Sequence, residues 1–120
     1  MALHYNLAKV YAISDEDPDF VSQVIDLFVI EVPVDIEQVR IGIDARDYKQ
    51  TYSFAHKIKP SLDLLGLDLA FEEILQIEDW ANKEGKRKEI IEVYKSLAHK
   101  IEKAVKEMKK DFNLLEKIKE

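Results

Sequence analysis

The sequence predicts an all-α protein, an antiparallel four-helix bundle with a short extra N-terminal helix, in a single domain that spans residues 1–120. Glycine and proline are scarce, with three of each in 120 residues, whereas an all-β fold needs many turns. No segment alternates apolar and polar residues for long enough to predict a strand. Apolar residues instead recur every three or four positions, which is the spacing of one helix face.

Two helices are predicted in the first part of the chain. The apolar residues between Leu7 and Ile13 predict a short helix that ends in an acidic stretch. Asp17 followed by Pro18 predicts the start of a long second helix, because an Asp side chain accepts orphan N–H groups and Pro fits the first helical position. Pro33 removes one backbone hydrogen bond within this helix and predicts a kink. The apolar stripe of the second helix is Val21, Val24, Ile25, Phe28, Val32, Ile36, Val39 and Ile43.

The third helix is bounded by two turn signals. The segment 42–47 is predicted as a turn, in which Asp44 or Asp47 caps a helix over residues 48–65. Gly66 suits the left-handed position that closes a helix.

Two further helices complete the bundle. Asp68 is predicted to cap the fourth helix, and the segment 82–86, which contains Gly85, to end it. A long amphipathic fifth helix follows. Residues 111–120 are predicted to be either an extension of this helix or a frayed tail. No linker divides the chain, so one domain is expected.

Composition excludes several classes of function. The chain has no cysteine, which excludes disulfide scaffolds, cysteine zinc sites and thiol nucleophiles. The net charge of −6 argues against nucleic-acid binding through phosphate neutralisation. The apolar stretches are far shorter than the roughly 20 residues that cross a bilayer, and residues 1–10 lack the pattern of a signal peptide. We therefore expect a cytoplasmic protein without membrane contact, and a monomer by default.

Histidine is the rarest reactive side chain, at His4, His56 and His99. The sequence has no glycine-rich phosphate loop, no H-E-x-x-H metal motif and no serine nucleophile elbow. A di-iron bundle would need Glu-x-x-His pairs, and no histidine follows a glutamate at that spacing. No resident metal or other cofactor is therefore predicted. His4 lies in the N-terminal segment and is not favoured as a functional group.

Two of these histidines lie in identical tetrapeptides, Ala-His-Lys-Ile, at residues 55–58 and 98–101, so each is a control for the other. A surface imidazole with an ordinary pKa of about 6.5 is partly neutral at neutral pH and can act as a nucleophile without a special base. A phosphoryl acceptor also needs a nearby cation, because its product carries roughly two negative charges. It further needs a side chain without bulk where the partner approaches.

The residues after the two tetrapeptides favour His56 as the acceptor. On a helix, the side chains three and four positions further along flank the imidazole. Lys59 and Pro60 occupy these positions and meet both requirements. After the second tetrapeptide, Glu102 would repel a phosphoryl group and the flexible Lys103 would obstruct the approach.

The side of the third helix that carries His56 is predicted to be an accessible rim on which a partner protein docks. The imidazole is displaced by about 100° from the inward-facing Ala55. The residues predicted to form this docking surface are Lys49, Tyr52, Ser53, Pro60, Asp63 and Leu64.

The segment AHKIKPSLDLLG at residues 55–66 resembles the signature of histidine-containing phosphotransfer (HPt) domains. That signature reads histidine, any residue, an aliphatic residue, lysine and glycine, then small and apolar residues to a closing glycine. FVIEVP at 28–33 resembles the family's long preceding helix, DY at 47–48 its turn into the histidine helix, and IE at 77–78 its following helix. The resemblance covers residues 5–110.

The resemblance implies a phosphocarrier of a multistep phosphorelay, without kinase or ATP-binding activity of its own. His56 is implied as the phosphoryl acceptor and Lys59 as the cation beside the phosphoryl group. In the mechanism that we expect, Lys57 or Lys49 is a further cation that offsets the charge of the phosphohistidine. The implied partners are response-regulator receiver domains and a hybrid sensor kinase. The receiver supplies Mg²⁺, so this chain needs no cofactor.

Pro60 departs from the family pattern, which has glycine at that position. Proline is compact, but it lacks the N–H that would bond the carbonyl of His56, so we expect a local bend and a partly unpaired His56 carbonyl at a site that still functions. The sequence leaves open which receivers fit. A second interpretation of the sequence is an interaction module: a helical bundle that binds a receiver or another signalling protein without transferring phosphate.

Overall fold

Five helices make up the part of the chain that the computed structural model describes, residues 4–112, and no strand occurs there. The helices are α1 (Ala8–Ile13), α2 (Pro18–Ala45), α3 (Tyr48–Leu64), α4 (Asp68–Asn82) and α5 (Arg87–Asp111). The prediction of an all-α bundle with a short leading helix is confirmed. The rest of the predicted C-terminal extension, residues 113–120, lies outside the described residues. No helix within residues 4–112 is long and apolar enough to cross a membrane.

The four long helices form a closed ring of packed neighbours. α2 packs on α3, α3 on α4, α4 on α5 and α5 on α2, and α1 packs against α2. Short turns join consecutive helices, so neighbours run antiparallel. Each helix directs its apolar stripe into one shared core. Its largest fully buried side chains include Ile25, Ile43, Ile58, Leu62, Ile74, Ile77, Leu97, Ile101 and Met108.

The start of α2 follows the prediction. The side chain of Asp17 accepts the N–H of Asp19 at 3.0 Å, and Pro18 is the first helical residue. Pro33 lies inside the helix, which continues unbroken to Ala45. The apolar stripe on both sides of the proline packs into the same core, and this packing offsets the lost backbone hydrogen bond.

Gly42 lies inside α2 and not in the following turn, so the turn predicted over 42–47 is shorter than expected. The helix ends at Ala45, and Arg46 closes it with φ 52° in the left-handed region. A Cβ on Gly42 would stand 2.4 Å from Oγ1 of Thr51. The glycine therefore serves the close approach of α3 to α2 and not a change of chain direction.

The predicted caps of α3 and α4 have different outcomes. Asp47 is the N-cap of α3, because its carboxylate accepts the N–H of Gln50 at 3.0 Å, so the alternative, Asp44, is wrong. The prediction that Asp68 caps α4 is also wrong. Leu67 is the N-cap, and Asp68 is the first helical residue, without a capping hydrogen bond from its side chain. Its carboxylate lies in the first turn, near the positive end of the helix dipole.

Gly66 closes α3 in the predicted left-handed conformation, with φ 72°. Its N–H donates to the carbonyl of Asp63, and the N–H of Leu67 donates to the carbonyl of Leu62, which are the two bonds of a Schellman motif. A Cβ on Gly66 would stand 2.6 Å from Cβ of Asn6. Any other residue here would strain the backbone and displace the N-terminal segment.

Candidate functional site

His56 lies on the outer face of α3, and 59% of its side chain is exposed. Its helix neighbours Ala55 and Ile58 are buried in the core. Their burial fixes the rotation of the helix about its axis and leaves the imidazole at the surface. The predicted acceptor is thus accessible to a docking protein.

A buried carboxylate from α4 holds the imidazole. Nδ1 of His56 lies 3.0 Å from Oε2 of Glu78, whose side chain is only 9% exposed. An ionised carboxylate can only accept hydrogen bonds, so Nδ1 carries the proton when the ring is neutral. Nε2 is then the ring nitrogen with a free lone pair, and it is the atom that can act as a nucleophile.

The same carboxylate binds Lys59. Nζ of Lys59 lies 3.0 Å from Oε1 of Glu78, and 24% of the lysine side chain is exposed. One buried anion thereby holds an imidazole and an ammonium group that lie about one turn apart on α3. The structure brings the predicted acceptor and the predicted cation together.

Tyr52 lies one turn before His56 on α3, and the two rings stack. The ring centroids are 5.6 Å apart and the planes differ by 11°. Stacking and the hydrogen bond to Glu78 restrict the imidazole from two sides. Tyr52 is predicted as a docking residue, and it is half-buried and supports the ring as well.

Lys57 points to the opposite flank of α3, toward α2. Its Nζ lies 3.1 Å from Oδ1 of Asp35, a buried carboxylate. α3 therefore lies between two buried carboxylates, each of which binds one of its lysines. This arrangement places Lys59 beside His56 and ties Lys57 to α2. Lys59, and not Lys57, therefore shares a carboxylate with the imidazole.

The predicted docking residues lie on both flanks of α3. Lys49, Tyr52 and Ser53 line a shallow hollow together with residues at the C-terminal end of α4. Leu64 lines a groove between α2 and α3. The predicted docking surface is thus divided by the ridge of α3 that carries His56.

Pro60 and Asp63 complete the predicted surface. α3 continues through Pro60 to Leu64, and the proline is exposed. Because it has no N–H, the carbonyl of His56 receives no helical hydrogen bond from this position. Asp63 is exposed and forms an ion pair with Lys9 of α1 at 2.6 Å, so it also fixes the short leading helix.

The other two histidines have different surroundings. His99 is exposed on α5. A hydrogen bond from Lys106 and, to a smaller extent, the charge of His99 lower the pKa of Glu102 below its usual value. His4 is exposed, and its backbone N–H donates to Glu107 at 2.8 Å. Neither ring hydrogen-bonds to a buried carboxylate within residues 4–112.

Glu78 is absent from the site residues predicted from the sequence, although it is central to the geometry. A signal for it exists: Glu78 lies one turn after Ile74 and next to Ile77, on the buried face of α4. A charged residue is almost never fully buried without a partner. Asp35 on α2 carries the same signal. Recognising either partner requires knowing which face of α3 meets which helix.

Within residues 4–112 no group of three or more His, Asp or Glu side chains is placed to hold a metal ion. Compared with models of protein families, with curated proteins and with solved structures, the chain gives no match. The assignment to the HPt family therefore stays a prediction, and its support consists of the residues and contacts described above.

Proposed function

We propose that this chain is a histidine phosphotransfer protein of a multistep phosphorelay, in which His56 accepts a phosphoryl group from the aspartate of one receiver domain and passes it to another. The observation that carries the proposal is the shared carboxylate of Glu78, which binds Nδ1 of His56 and Nζ of Lys59 at 3.0 Å each. It holds a surface nucleophile in one tautomer beside a cation.

The hydrogen bond to Glu78 prepares the ring for transfer. It holds the proton on Nδ1, so the lone pair of Nε2 attacks phosphorus in line with the aspartyl oxygen. The N–P bond forms as the P–O bond breaks, and the bonding pair leaves with the receiver carboxylate. The ring becomes an imidazolium, and the buried carboxylate stabilises its positive charge.

Lys59 has a different part in the same step. Its ammonium group lies one turn from the imidazole. When the side chain of Lys59 rotates away from Glu78, the ammonium group binds the incoming phosphoryl oxygens. The receiver contributes its own Mg²⁺ and acidic pocket. The role of this chain is to position and stabilise, which is the main catalytic requirement of phosphoryl transfer.

Incubation with a panel of radiolabelled, phosphorylated receiver domains tests the proposal. We expect the wild-type chain to acquire acid-labile, base-stable label, which is the signature of phosphohistidine. The variant His56→Gln should acquire none while keeping its helical circular dichroism. The variant His99→Gln is the matched control, because it alters the same tetrapeptide elsewhere, and it should be labelled like the wild type. Label on His56→Gln would contradict the proposal.

The interaction-module interpretation predicts a different result from the same panel. A receiver would bind the wild-type chain and the His56→Gln variant with equal affinity, and neither chain would acquire label. Isothermal titration with one receiver, run beside the labelling assay, separates the two functions.

A further inference from the structure

Tyr52 contacts the face of the His56 imidazole. The two side chains lie one turn apart on α3, with their ring centroids 5.6 Å apart and their planes inclined by 11°. Nearly parallel planes at this separation form an offset stack, which is one of the arrangements that aromatic rings prefer. Glu78 binds the imidazole differently, because its carboxylate meets Nδ1 at the edge of the ring. The ring is therefore held by one contact at its edge and by one on its face.

These two contacts leave the nucleophilic atom open. The lone pair of Nε2 lies in the plane of the imidazole and points outward from its edge. A ring that stacks on the face does not cover this edge, and Glu78 binds at the other nitrogen. Accordingly, 59% of the His56 side chain is exposed. Tyr52 thus restrains the imidazole without blocking a docked protein.

The hydrogen bond to Glu78 does not by itself set the direction of the Nε2 lone pair. It fixes one atom of the imidazole, and the ring can still tilt about that atom through its side-chain torsions. In-line transfer requires the lone pair to point along the P–O bond that breaks, within about 10–20°. A ring that stacks on a flat neighbour loses most of this freedom to tilt. The plane of Tyr52 therefore supplies the restraint that the hydrogen bond lacks.

The position of Tyr52 is itself set by the packing of the bundle. Tyr52 is half-buried and packs against the core. Tyr48, one turn earlier on α3, lines the same hollow. The hydroxyl of Tyr48 donates to the carbonyl of Gly85 at 2.8 Å, and its ring packs on Trp80 with the centroids 5.1 Å apart. The part of α3 that carries Tyr52 is thus anchored to α4 and to the turn that follows it.

We propose that Tyr52 is a positioning residue for phosphoryl transfer: its ring fixes the plane of the His56 imidazole, so that the lone pair of Nε2 points at the phosphorus atom of a docked receiver. This inference rests on the proposed function and adds the residue that aligns its nucleophile. In the transfer, the N–P bond forms as the P–O bond of the aspartyl phosphate breaks, and the bonding pair leaves with the carboxylate. Tyr52 forms no bond and exchanges no proton in this step, and it acts only through the orientation of the ring.

A docked receiver and a small donor differ in how they depend on this alignment. The receiver presents its phosphorus atom from one fixed direction, so a tilted imidazole misses the line of attack. Phosphoramidate is a small donor that tumbles freely and meets the lone pair in whatever direction it points. With this donor, the bond from Nε2 to phosphorus forms as the P–N bond of phosphoramidate breaks, and its protonated nitrogen leaves as ammonia. Loss of alignment therefore slows transfer from the receiver and not from phosphoramidate.

Rapid-quench measurement of transfer from a phosphorylated receiver at saturating concentration tests the proposal. Tyr52→Leu and Tyr52→Met keep an apolar side chain but remove the flat ring, so we expect them to lower the saturating rate by about three- to tenfold. Tyr52→Phe keeps the ring and should stay within about twofold of the wild type. Phosphoramidate should label His56 of all four chains at rates that agree within about twofold, with the label located by peptide mapping.

Proton NMR of the imidazole C–H groups measures the stack in solution. The ring current of a stacked aromatic neighbour shifts these protons, so the His56 signals of the wild type and of Tyr52→Phe should agree, and those of Tyr52→Leu should move. Lys95→Leu is the matched control, because Lys95 lies one turn before the other tetrapeptide histidine, His99, on α5. This substitution should change neither the His56 signals nor the transfer rate.

Four results overturn the proposal while leaving the proposed function intact. These are equal saturating rates of the wild type and the Leu and Met variants, equal slowing by Tyr52→Phe, equal slowing with the receiver and with phosphoramidate, and unchanged His56 signals in Tyr52→Leu. The third result would show a loss of reactivity or folding and not of alignment. If no receiver labels the wild type, the proposed function itself fails, and the positioning role fails with it.

Discussion

The segments at 55–58 and 98–101 have the same four residues, Ala-His-Lys-Ile, and both lie on long helices with the imidazole exposed. They differ in what surrounds the ring. His56 is stacked on Tyr52 and held by Glu78 of the next helix. His99 has Lys95 at the position of the stacked tyrosine and Glu102 at that of the lysine.

This difference shows that the four shared residues determine little of the chemistry of their histidine. What distinguishes the first ring is a buried carboxylate that belongs to another helix and lies 22 positions away in the chain. This tertiary contact fixes the tautomer of His56 and holds the ammonium group of Lys59 nearby. The first two of the following experiments remove components of that contact, and the other two test the packing of the helices that carry the two histidines.

The largest effect is expected from Glu78→Gln. The amide has the shape of the carboxylate but offers either a donor or an acceptor to each partner, so it no longer fixes the imidazole tautomer or the ammonium group. We expect transfer from a phosphorylated receiver to slow by about 10- to 100-fold. Nitrogen NMR of the ring should show a mixed population of tautomers. If the transfer rate and the nitrogen NMR spectrum of the variant equalled those of the wild type, Glu78 would not be what distinguishes His56 from His99.

Lys59→Ala should have the next largest effect. Removing the ammonium group takes away the cation nearest the transferred phosphoryl group, so we expect about tenfold slower transfer and a shorter lifetime of the phosphorylated chain. The lifetime is measured by loss of label after the receiver is removed. Lys57→Ala is the control, because Lys57 is bound to Asp35 on the other flank. Equal effects of the two substitutions would contradict the distinction drawn between them.

Gly42→Ala tests how closely α3, the helix that carries His56, packs against α2. The added Cβ would stand 2.4 Å from Oγ1 of Thr51, so α2 and α3 must shift apart. We expect a loss of about 1–3 kcal/mol in the free energy of unfolding, measured by urea denaturation. A surface helix would instead gain stability from the same change. An increase in stability would show that α3 has room to move.

Tyr94→Phe, on the helix of the other histidine, should have the smallest effect at neutral pH. Burial, followed by the charge of Glu37, raises the pKa of Tyr94 to about 12, from an ordinary value of about 10. The folded state thus favours the protonated phenol, and this stabilisation is complete below pH 10 and lost as the pH rises through 12. Urea titrations between these values should show a shallower decline in stability for the variant, and an equal decline would contradict the assignment.

Most of the fold is predictable because its determinants are local. The apolar stripe and the cap at Asp17 predict α2, and Gly66 predicts the end of α3, since each acts through the helix on which it lies. Gly42 and Asp68 are misassigned for two different reasons. Glycine is placed by the approach of Thr51 from another helix, and the first turn of α4 accepts an acidic residue without using it as a cap.

The candidate site is predictable only in part. His56, Lys59 and Pro60 follow from spacing on a single helix. The contact of His56 with Glu78 and the different partners of Lys57 and Lys59 cannot be predicted in this way, because they depend on which helix lies on each side of α3. The buried carboxylates are visible in the sequence as charged positions within apolar stripes, but their partners become evident only when the helices are packed.

The carboxylate of Glu78 also contributes to the net charge of the surface around His56. With a neutral ring, the charges of Glu78 and Lys59 offset each other. If the ring is phosphorylated, the phosphoryl group brings about two negative charges and the imidazolium one positive charge, so a chain with net charge −6 gains about one negative charge. An acidic receiver pocket that has just lost its phosphate then faces a more anionic surface. Repulsion would hasten separation of the products, and this acceleration would fade as added salt shortens the range of the field to about 10 Å or less.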